Sequence, residues 1–289
     1  MAARELSAAD WRIVLHRDAR AFLARAERWL RLAEMECAVA LRSADYARTD
    51  DSQFLRPLYW ATVEDGRGEI AGCAFRTPPY RLGLTSLPLG AIPAVVDSVA
   101  GVYDSLSGVA GPEPGASAFT AAWTKLRGGS SSVQARQHLL LHRALVPTPD
   151  PPPGRLRPGR GTDAHLAQEW GATFARESGL TGLDGALCTQ LLRAGQIFFW
   201  DDGAPRCMLG VLRQTRDAAA IGVVFTPPTY RERGYATAAV SAFSRELLER
   251  GLPHSYFCLE PSSAAGYSLC HRLGYAIVQE TADIDLRPG

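Results

Sequence analysis

Residues 224–237 combine an apolar strand, a turn that holds two arginines and a glycine, and the start of a helix. The first turn of a helix leaves backbone N–H groups unpaired at the positive end of the helix dipole, where phosphate oxygens bind. Gly234 and Ala236 keep large side chains away from that backbone, and Arg231 and Arg233 add positive charge. An arginine before a glycine is also typical of an ordinary solvated loop. The strand before the turn and the amphipathic helix after it favour an anion site.

The elements around this turn alternate between strands and helices. The helix over 235–250 is the best marked, because apolar residues recur along it at helical spacing and Gly251 suits its end. In this half of the chain we predict helices that begin at Thr162 or Asp163 and that cover 183–193, 235–250 and 262–273, with strands over 155–157, 196–201, 206–213, 219–226, 254–259 and 275–286.

The first half of the chain has nearly the same order of predicted elements. The helices are 19–32, 34–42, 92–100 and 115–125, and the strands are 11–16, 58–63, 69–75, 82–87 and 133–145. Residues 74–80 and 224–230 also share Phe, Thr-Pro-Pro and Tyr, a repeat short enough to arise by chance. We therefore predict the α/β class (α+β, with a mixed sheet), in which two similar units follow one another along the chain.

A proline-rich segment, residues 147–154, has five prolines in eight residues and divides the chain nearly in half. Such a composition excludes a helix and favours an extended spacer. We predict one domain over 1–146, a linker over 147–154 and a second domain over 155–289. The first domain lacks the anion turn, since residues 86–93 contain no arginine and two prolines there remove backbone donors.

The composition limits the class of protein and of partner. With 31 basic and 30 acidic residues, the formal net charge of +1 indicates neither a nucleic-acid nor a membrane-surface partner. The six cysteines form no Cys-x-x-Cys pair and no Cys/His cluster at zinc spacing, so we expect neither a metal site nor a disulfide framework. No apolar run has the length of a signal peptide or a membrane span. We expect a cytoplasmic protein that is a monomer or a homodimer.

Two motifs connect the second half to a known superfamily. The turn has the form Arg-x-x-Gly-x-Ala, and residues 269–275 read Leu-Cys-His-Arg-Leu-Gly-Tyr. The first resembles the pyrophosphate loop of the GNAT superfamily of N-acetyltransferases, and the second is similar to its Leu-Tyr-x-Arg-x-Gly-Phe/Tyr signature. Together with residues 225–228 they resemble the subgroup akin to the C-terminal domain of glycine N-acyltransferases. The resemblance covers the first half by order of elements only.

The resemblance implies an N-acyltransferase that binds acetyl-CoA or another acyl-CoA and needs no metal. The strand before the turn would pair with the pantetheine arm, and the turn would hold the pyrophosphate. The residues implied to bind the cofactor are Val224, Phe225, Thr226, Arg231, Arg233, Gly234, Tyr235, Ala236, Thr237 and Ser263. The acyl group would pass directly to a small-molecule amine that attacks the thioester carbonyl.

The chain departs from the superfamily at the acid that protonates the departing thiolate. The superfamily's tyrosine falls at Cys270, whose thiol is either a weak acid or a small buried packing group. Tyr267, one helical turn earlier, is a substitute acid or a packing residue, and Glu260 at the end of a strand is a candidate base. The missing tyrosine leaves open a non-catalytic acyl-CoA-binding regulatory module. A tandem domain that binds a partner protein and no acyl-CoA is the third reading.

Overall fold

The computed structural model describes residues 11–142, 150–180, 182–214 and 218–289. The chain folds into two compact units. One unit runs to Gln137 and also contains Gln279–Gly289, and the other is His138–Val278. Residues 143–145 of a predicted strand and 147–149 of the predicted linker lie outside the described residues.

The first unit is a mixed sheet with helices on both faces. Its strands run in the order β1-β2-β3-β4-β5, in which β4 and β5 are parallel and the other neighbouring pairs are antiparallel. The described elements in chain order are β1 (Arg12–Leu15), α1 (Ala19–Leu32), α2 (Ala38–Thr49), β2 (Tyr59–Glu64), β3 (Ile70–Arg76), β4 (Leu82–Leu84), α3 (Ile92–Ala100), β5 (Gly108–Pro112), α4 (Glu113–Arg127) and β6 (Ser130–His142).

Side chains of β2 explain why this sheet is covered twice. Tyr59, Ala61 and Val63 pack on one face with α3 and α4, whereas Trp60 packs on the other with α1 and α2. Alternate residues of a strand point to opposite faces, so a strand with apolar residues at every position needs helices on both sides. The sequence does not predict β5, because Gly-Val-Ala-Gly-Pro contains no run of β-branched or aromatic residues. Helix α2 begins four residues after its predicted start and ends at Thr49.

The second unit repeats this order of elements. Residues 138–142 of β6 open its sheet, whose strands run β6-β11-β10-β9-β8-β7. β10 and β11 are parallel, and the other neighbours are antiparallel. Its further elements are β7 (Arg155–Pro158), α5 (Ala164–Ser178), α6 (Gly185–Arg193), β8 (Ile197–Asp201), β9 (Pro205–Gln214), β10 (Ala218–Phe225), α7 (Tyr235–Glu249), β11 (His254–Leu259), α8 (Ala264–Arg272) and β12 (Tyr275–Arg287).

The last strand of each half of the sequence changes unit along its length: β6 ends in the second unit, and β12 ends in the first. The last residues of β6 pair with β11, from Leu141 opposite Tyr256 to His138 opposite Leu259. Residues 281–285 of β12 pair with β5 in the first unit. The units are therefore not contiguous in sequence, whereas the predicted domains 1–146 and 155–289 are. Hydrophobic alternation predicts a strand but carries no information about which sheet receives it, so this exchange has no local signal.

The predicted α/β class with a mixed sheet, written twice, is confirmed by these two units. The short sequence repeat does not mark equivalent positions, however. Residues 74–80 begin within β3, the third strand of the first unit, whereas residues 224–230 begin within β10, which is the fourth strand that begins in the second unit. The resemblance between 74–80 and 224–230 is thus unrelated to the structural repeat.

Candidate functional site

A gap between two parallel strands marks the candidate site in the second unit. Residues Ala218, Ala219 and Ala220 of β10 pair with His254, Ser255 and Tyr256 of β11. From residue 221 to its end, β10 has no partner strand on this side among the described residues, because β11 continues beside β6 instead. The two strands therefore part, and one edge of β10 keeps free backbone donors and acceptors. An extended polar chain can pair with such an edge.

The pairing of β10 with β9 is irregular between Ala220 and Val223. Ile221 packs with the core beneath α7 and α8, whereas Val223 and Phe225 pack with the core beneath α5 and α6. Residues two apart share a face in a regular strand, so this irregularity rotates the end of β10. Val224, only partly buried, consequently lies on the face that α7 and α8 cover, beside the gap.

Backbone geometry at the start of α7 leaves helical N–H groups unpaired where the sequence predicts an anion site. Gly234 is the N-cap and has φ of 81°, in the left-handed region that favours glycine. The first helical hydrogen bond runs from Ala238 N–H to the Gly234 carbonyl at 2.9 Å, and no side chain caps the helix. Within the described residues, the N–H groups of Tyr235, Ala236 and Thr237 therefore have no acceptor. They point out of the helix end as phosphate-binding donors do.

The two arginines of the motif differ in their contacts. Arg231 donates from Nε to the Thr226 carbonyl at 3.0 Å and from Nη2 to the Glu177 carboxylate at 2.6 Å. It therefore ties the turn to the end of β10 and to α5, and Glu177 offsets much of its charge. Arg233 is exposed and forms no ion pair within the described part of the chain. The positive charge available to an anion at this turn comes from Arg233 more than from Arg231.

Cys270, which the motif resemblance aligns with a tyrosine, lies in the core of the second unit. Its side chain is fully buried, and it packs in the same cluster as Phe243 and Leu273. Burial raises the pKa of the Cys270 thiol to about 12. A thiol with so high a pKa is a poor proton donor, so the placement of Cys270 favours a packing role over a role as the general acid.

Tyr267 lies one turn earlier in α8 and is half-buried. Its hydroxyl is 2.5 Å from Nδ1 of His138, and the two rings meet edge to face with centroids 5.8 Å apart. His138 begins the part of β6 that pairs with β11 and lies opposite Leu259. The sequence carries no signal for His138, because His138 is 129 residues from Tyr267 and no motif surrounds it.

Glu260 follows Leu259 directly, so its backbone lies next to the strand pair that holds His138. Its half-buried carboxylate makes neither a hydrogen bond nor an ion pair within the described residues, which leaves it available to an incoming group. Ser263, the N-cap of α8, donates its N–H to the Glu260 carbonyl at 3.0 Å, and its hydroxyl makes no capping hydrogen bond with the described residues of the helix. Glu260 and Ser263 therefore follow the end of β11, and Tyr267 contacts His138, which pairs with the last residue of that strand.

The corresponding turn of the first unit has different chemistry. β4 ends at Leu84, a 3₁₀ turn covers Leu89–Ala91, and α3 begins at Ile92 with a proline in its first turn. Proline has no N–H, so this helix start presents fewer donors than that of α7. The described residues include no group of three or more metal-ligating side chains, and none of their helices is long and apolar enough to cross a membrane.

Comparison with solved structures identifies the fold. An acetyltransferase of the GNAT family from Colwellia psychrerythraea is similar over 96% of this chain and 100% of its own, with a TM-score of 0.52 and 11% identity. A GCN5-related N-acetyltransferase from Sphaerobacter thermophilus is similar over 96% of both chains, with a TM-score of 0.52 and 16% identity. No family model matches the sequence, and no curated protein matches it either. The predicted glycine N-acyltransferase-like subgroup stays a prediction. The chain has the fold of the GNAT-family acetyltransferases.

Proposed function

We propose that the second unit binds an acyl-coenzyme A, most simply acetyl-CoA, and transfers its acyl group to the amine of a small molecule. The observation that carries the proposal is the parting of β10 from β11 directly before a helix start with unpaired N–H groups. A free strand edge suits the amide-bearing pantetheine arm, and the helix start suits the pyrophosphate. No metal is part of the proposal.

The residues that we assign to the cofactor act through the backbone. The edge of β10 at Val224, Phe225 and Thr226 would accept and donate hydrogen bonds along the pantetheine arm. The N–H groups of Tyr235, Ala236 and Thr237, with the left-handed turn at Gly234, would hold the pyrophosphate. Arg231 keeps this turn closed through Glu177, and Ser263 offers a free hydroxyl near the acyl end.

We assign the chemistry to the side chains around the end of β11. Glu260 takes a proton from the ammonium form of the acceptor, directly or through water, and the amine then attacks the thioester carbonyl. The nitrogen of the tetrahedral adduct loses its second proton to water, the carbon–sulfur bond breaks, and Tyr267 gives its hydroxyl proton to the departing thiolate. A His138 that carries a proton on Nδ1 would donate to the Tyr267 oxygen, which frees the hydroxyl proton for transfer and steadies the resulting tyrosinate.

Replacing Gly234 with glutamate tests the proposal. A carboxylate beside the unpaired N–H groups occupies the anion site and repels a pyrophosphate, so acetyl-CoA binding and turnover should both fall by at least about a hundredfold. Gly251→Glu is the matched control: Gly251 has φ of 80°, nothing lies within 4 Å of an added Cβ, and it follows the other end of α7. Calorimetric binding of acetyl-CoA and release of free thiol with a panel of amines are the measurements. Unchanged binding in Gly234→Glu contradicts the proposal.

A non-catalytic acyl-CoA-binding module is the second candidate, favoured by the buried cysteine at position 270. It predicts tight acetyl-CoA binding that Gly234→Glu abolishes, without amine-dependent thiol release from any acceptor. Amine-dependent release that Gly234→Glu removes would decide for the enzyme.

A further inference from the structure

Two guanidinium groups converge on one tyrosine ring beside the start of α7. The Arg206 guanidinium carbon lies 4.4 Å from the Tyr230 ring centroid, and that of Arg233 lies 6.0 Å from the same centroid. Arg206 is the second residue of β9, whereas Tyr230 and Arg233 belong to the turn before α7. Two distant segments of the second unit therefore place positive charge around one aromatic ring.

Neither guanidinium forms an ion pair with a carboxylate within the described residues. Arg206 makes one hydrogen bond, from Nη2 to the Asp202 carbonyl at 3.3 Å, and its Nε is buried without a partner. The Asp202 carboxylate accepts instead from the Tyr235 hydroxyl at 3.0 Å. A tyrosine ring attracts a cation by about 0.5–2 kcal/mol and supplies no hydrogen-bond acceptor in the plane of the guanidinium. In the part of the chain that the structure describes, the two arginines therefore keep unused N–H donors and have no carboxylate partner.

The cluster adjoins the helix start that we assign to the pyrophosphate. Tyr235 is the first residue of α7, its ring lies 6.4 Å from that of Tyr230 at 89°, and its hydroxyl reaches Asp202 in the β8–β9 turn. The β8–β9 turn and the turn before α7 are therefore held together where an anion would enter. Arg231, the arginine of the sequence motif, already has its carboxylate partner in Glu177.

We propose that Arg206 and Arg233, on the ring of Tyr230, bind the 3′-phosphate of coenzyme A. The inference rests on the proposed function and adds a specificity site to it. A phosphate monoester carries close to two negative charges at neutral pH and forms paired hydrogen bonds with guanidinium groups. The pyrophosphate, which has less charge per phosphorus, suits the backbone donors of α7. Only one ribose separates the 3′-phosphate from the pyrophosphate in coenzyme A. A pyrophosphate at the start of α7 therefore places the 3′-phosphate within reach of neighbouring side chains.

Dephospho-coenzyme A, which lacks only the 3′-phosphate, is the probe that tests this site. We expect the unmodified protein to bind coenzyme A at least about tenfold more tightly than dephospho-coenzyme A in calorimetry at one salt concentration. Arg206→Gln should weaken coenzyme A about tenfold and leave dephospho-coenzyme A nearly unchanged. Arg233→Gln also removes charge from the turn before α7, so it should weaken both ligands, and coenzyme A by the larger factor. Arg206→Lys should retain part of the preference. Arg193→Gln, an exposed arginine at the end of α6, is the control that removes one charge elsewhere.

The outcomes separate the two proposals. If both ligands bind the unmodified protein equally, or if Arg206→Gln weakens both by the same factor, the 3′-phosphate site is wrong while acyl-CoA binding stands. If neither ligand binds, both proposals fail. Thermal unfolding of each variant distinguishes a lost contact from a lost fold, since Arg206→Gln should unfold within a few degrees of the unmodified protein.

Discussion

Removing the Tyr267 hydroxyl, by Tyr267→Phe, should slow acyl transfer without weakening acetyl-CoA binding. The hydroxyl lies 2.5 Å from His138 Nδ1, and strand pairing holds His138 opposite Leu259, so the donor is fixed in place. General acid catalysis contributes roughly 10²–10⁴-fold to a rate. A thiol is already acidic, with a pKa near 8.5, so its thiolate needs less help in leaving than an alkoxide.

We therefore expect the lower end of that range for Tyr267→Phe. A fall in kcat of about a hundredfold corresponds to about 2.7 kcal/mol of barrier, with the Kd for acetyl-CoA unchanged. A thioester whose thiol is more acidic should recover part of the rate, because it leaves without a proton. The assay is release of free thiol at saturating amine, once a screen has supplied an acceptor, with calorimetry for binding.

Cys270→Ala is the matched variant, since it removes the side chain at the superfamily's acid position. The Cys270 side chain is fully buried, so we expect a loss of stability of about 1 kcal/mol and a kcat within about threefold of the unmodified enzyme. His138→Gln should lower kcat with little change in KM, because it acts through Tyr267. A hundredfold loss in Cys270→Ala together with an unaffected Tyr267→Phe would refute the assignment and return the acid to Cys270.

Two further predictions concern the turn and the buried thiols. Glu177→Gln breaks the 2.6 Å ion pair that ties Arg231 to α5. Both side chains are more than 40% exposed, so the loss of stability should be at most about 1 kcal/mol. Calorimetry should show acetyl-CoA binding weakened only about two- to fivefold. A hundredfold loss would show that Glu177 itself contacts the ligand. The pKa of the Cys270 thiol is raised to about 12 in the fold from an ordinary value of 9.0, so the unfolded chain loses its proton first and the free energy of unfolding falls as pH rises from about 9 toward 12. Urea titrations at pH 7.5, 9.5 and 10.5 measure how the free energy of unfolding falls with pH. The fall should be less steep in Cys270→Ala than in the unmodified protein, by up to about 1.4 kcal/mol per pH unit. Equal slopes in the two proteins would contradict a buried thiol with a raised pKa.

The sequence predicts the turn before α7 well because every part of that turn is local. A strand, an arginine, a glycine with positive φ and an amphipathic helix follow one another within residues 219–250, and each has its own signal in residue type or spacing. The structure places the free N–H groups where this pattern predicts them. It adds what the pattern lacks, namely that Arg231 is engaged by Glu177 from another helix.

Contacts between distant segments carry no comparable signal. His138 and Tyr267 are brought together only because the end of β6 joins β11, and the alternation of residues in β6 is equally compatible with either unit's sheet. Arg206 likewise reads as an ordinary residue at the start of a hairpin strand until the fold places it over Tyr230. The least predictable parts of the site are therefore the side chains proposed for acid catalysis and for phosphate specificity.

The two units show why the fold by itself does not give the activity. Both have a short parallel strand pair connected by a helix, yet α3 of the first unit has a proline in its first turn, and residues 86–93 contain no arginine. At the same place the second unit has Gly234 in the left-handed conformation and three N–H groups for which the described residues supply no acceptor. Phosphate affinity depends on those donors and not on the order of the surrounding strands. A graft of one turn onto the other unit would separate the effect of the donors from that of the fold. Residues 85–93 of the first unit would replace residues 226–236. Acetyl-CoA binding should then be abolished, while the far-ultraviolet spectrum of the protein stays unchanged. Retained binding in that graft would move the anion site away from the start of α7.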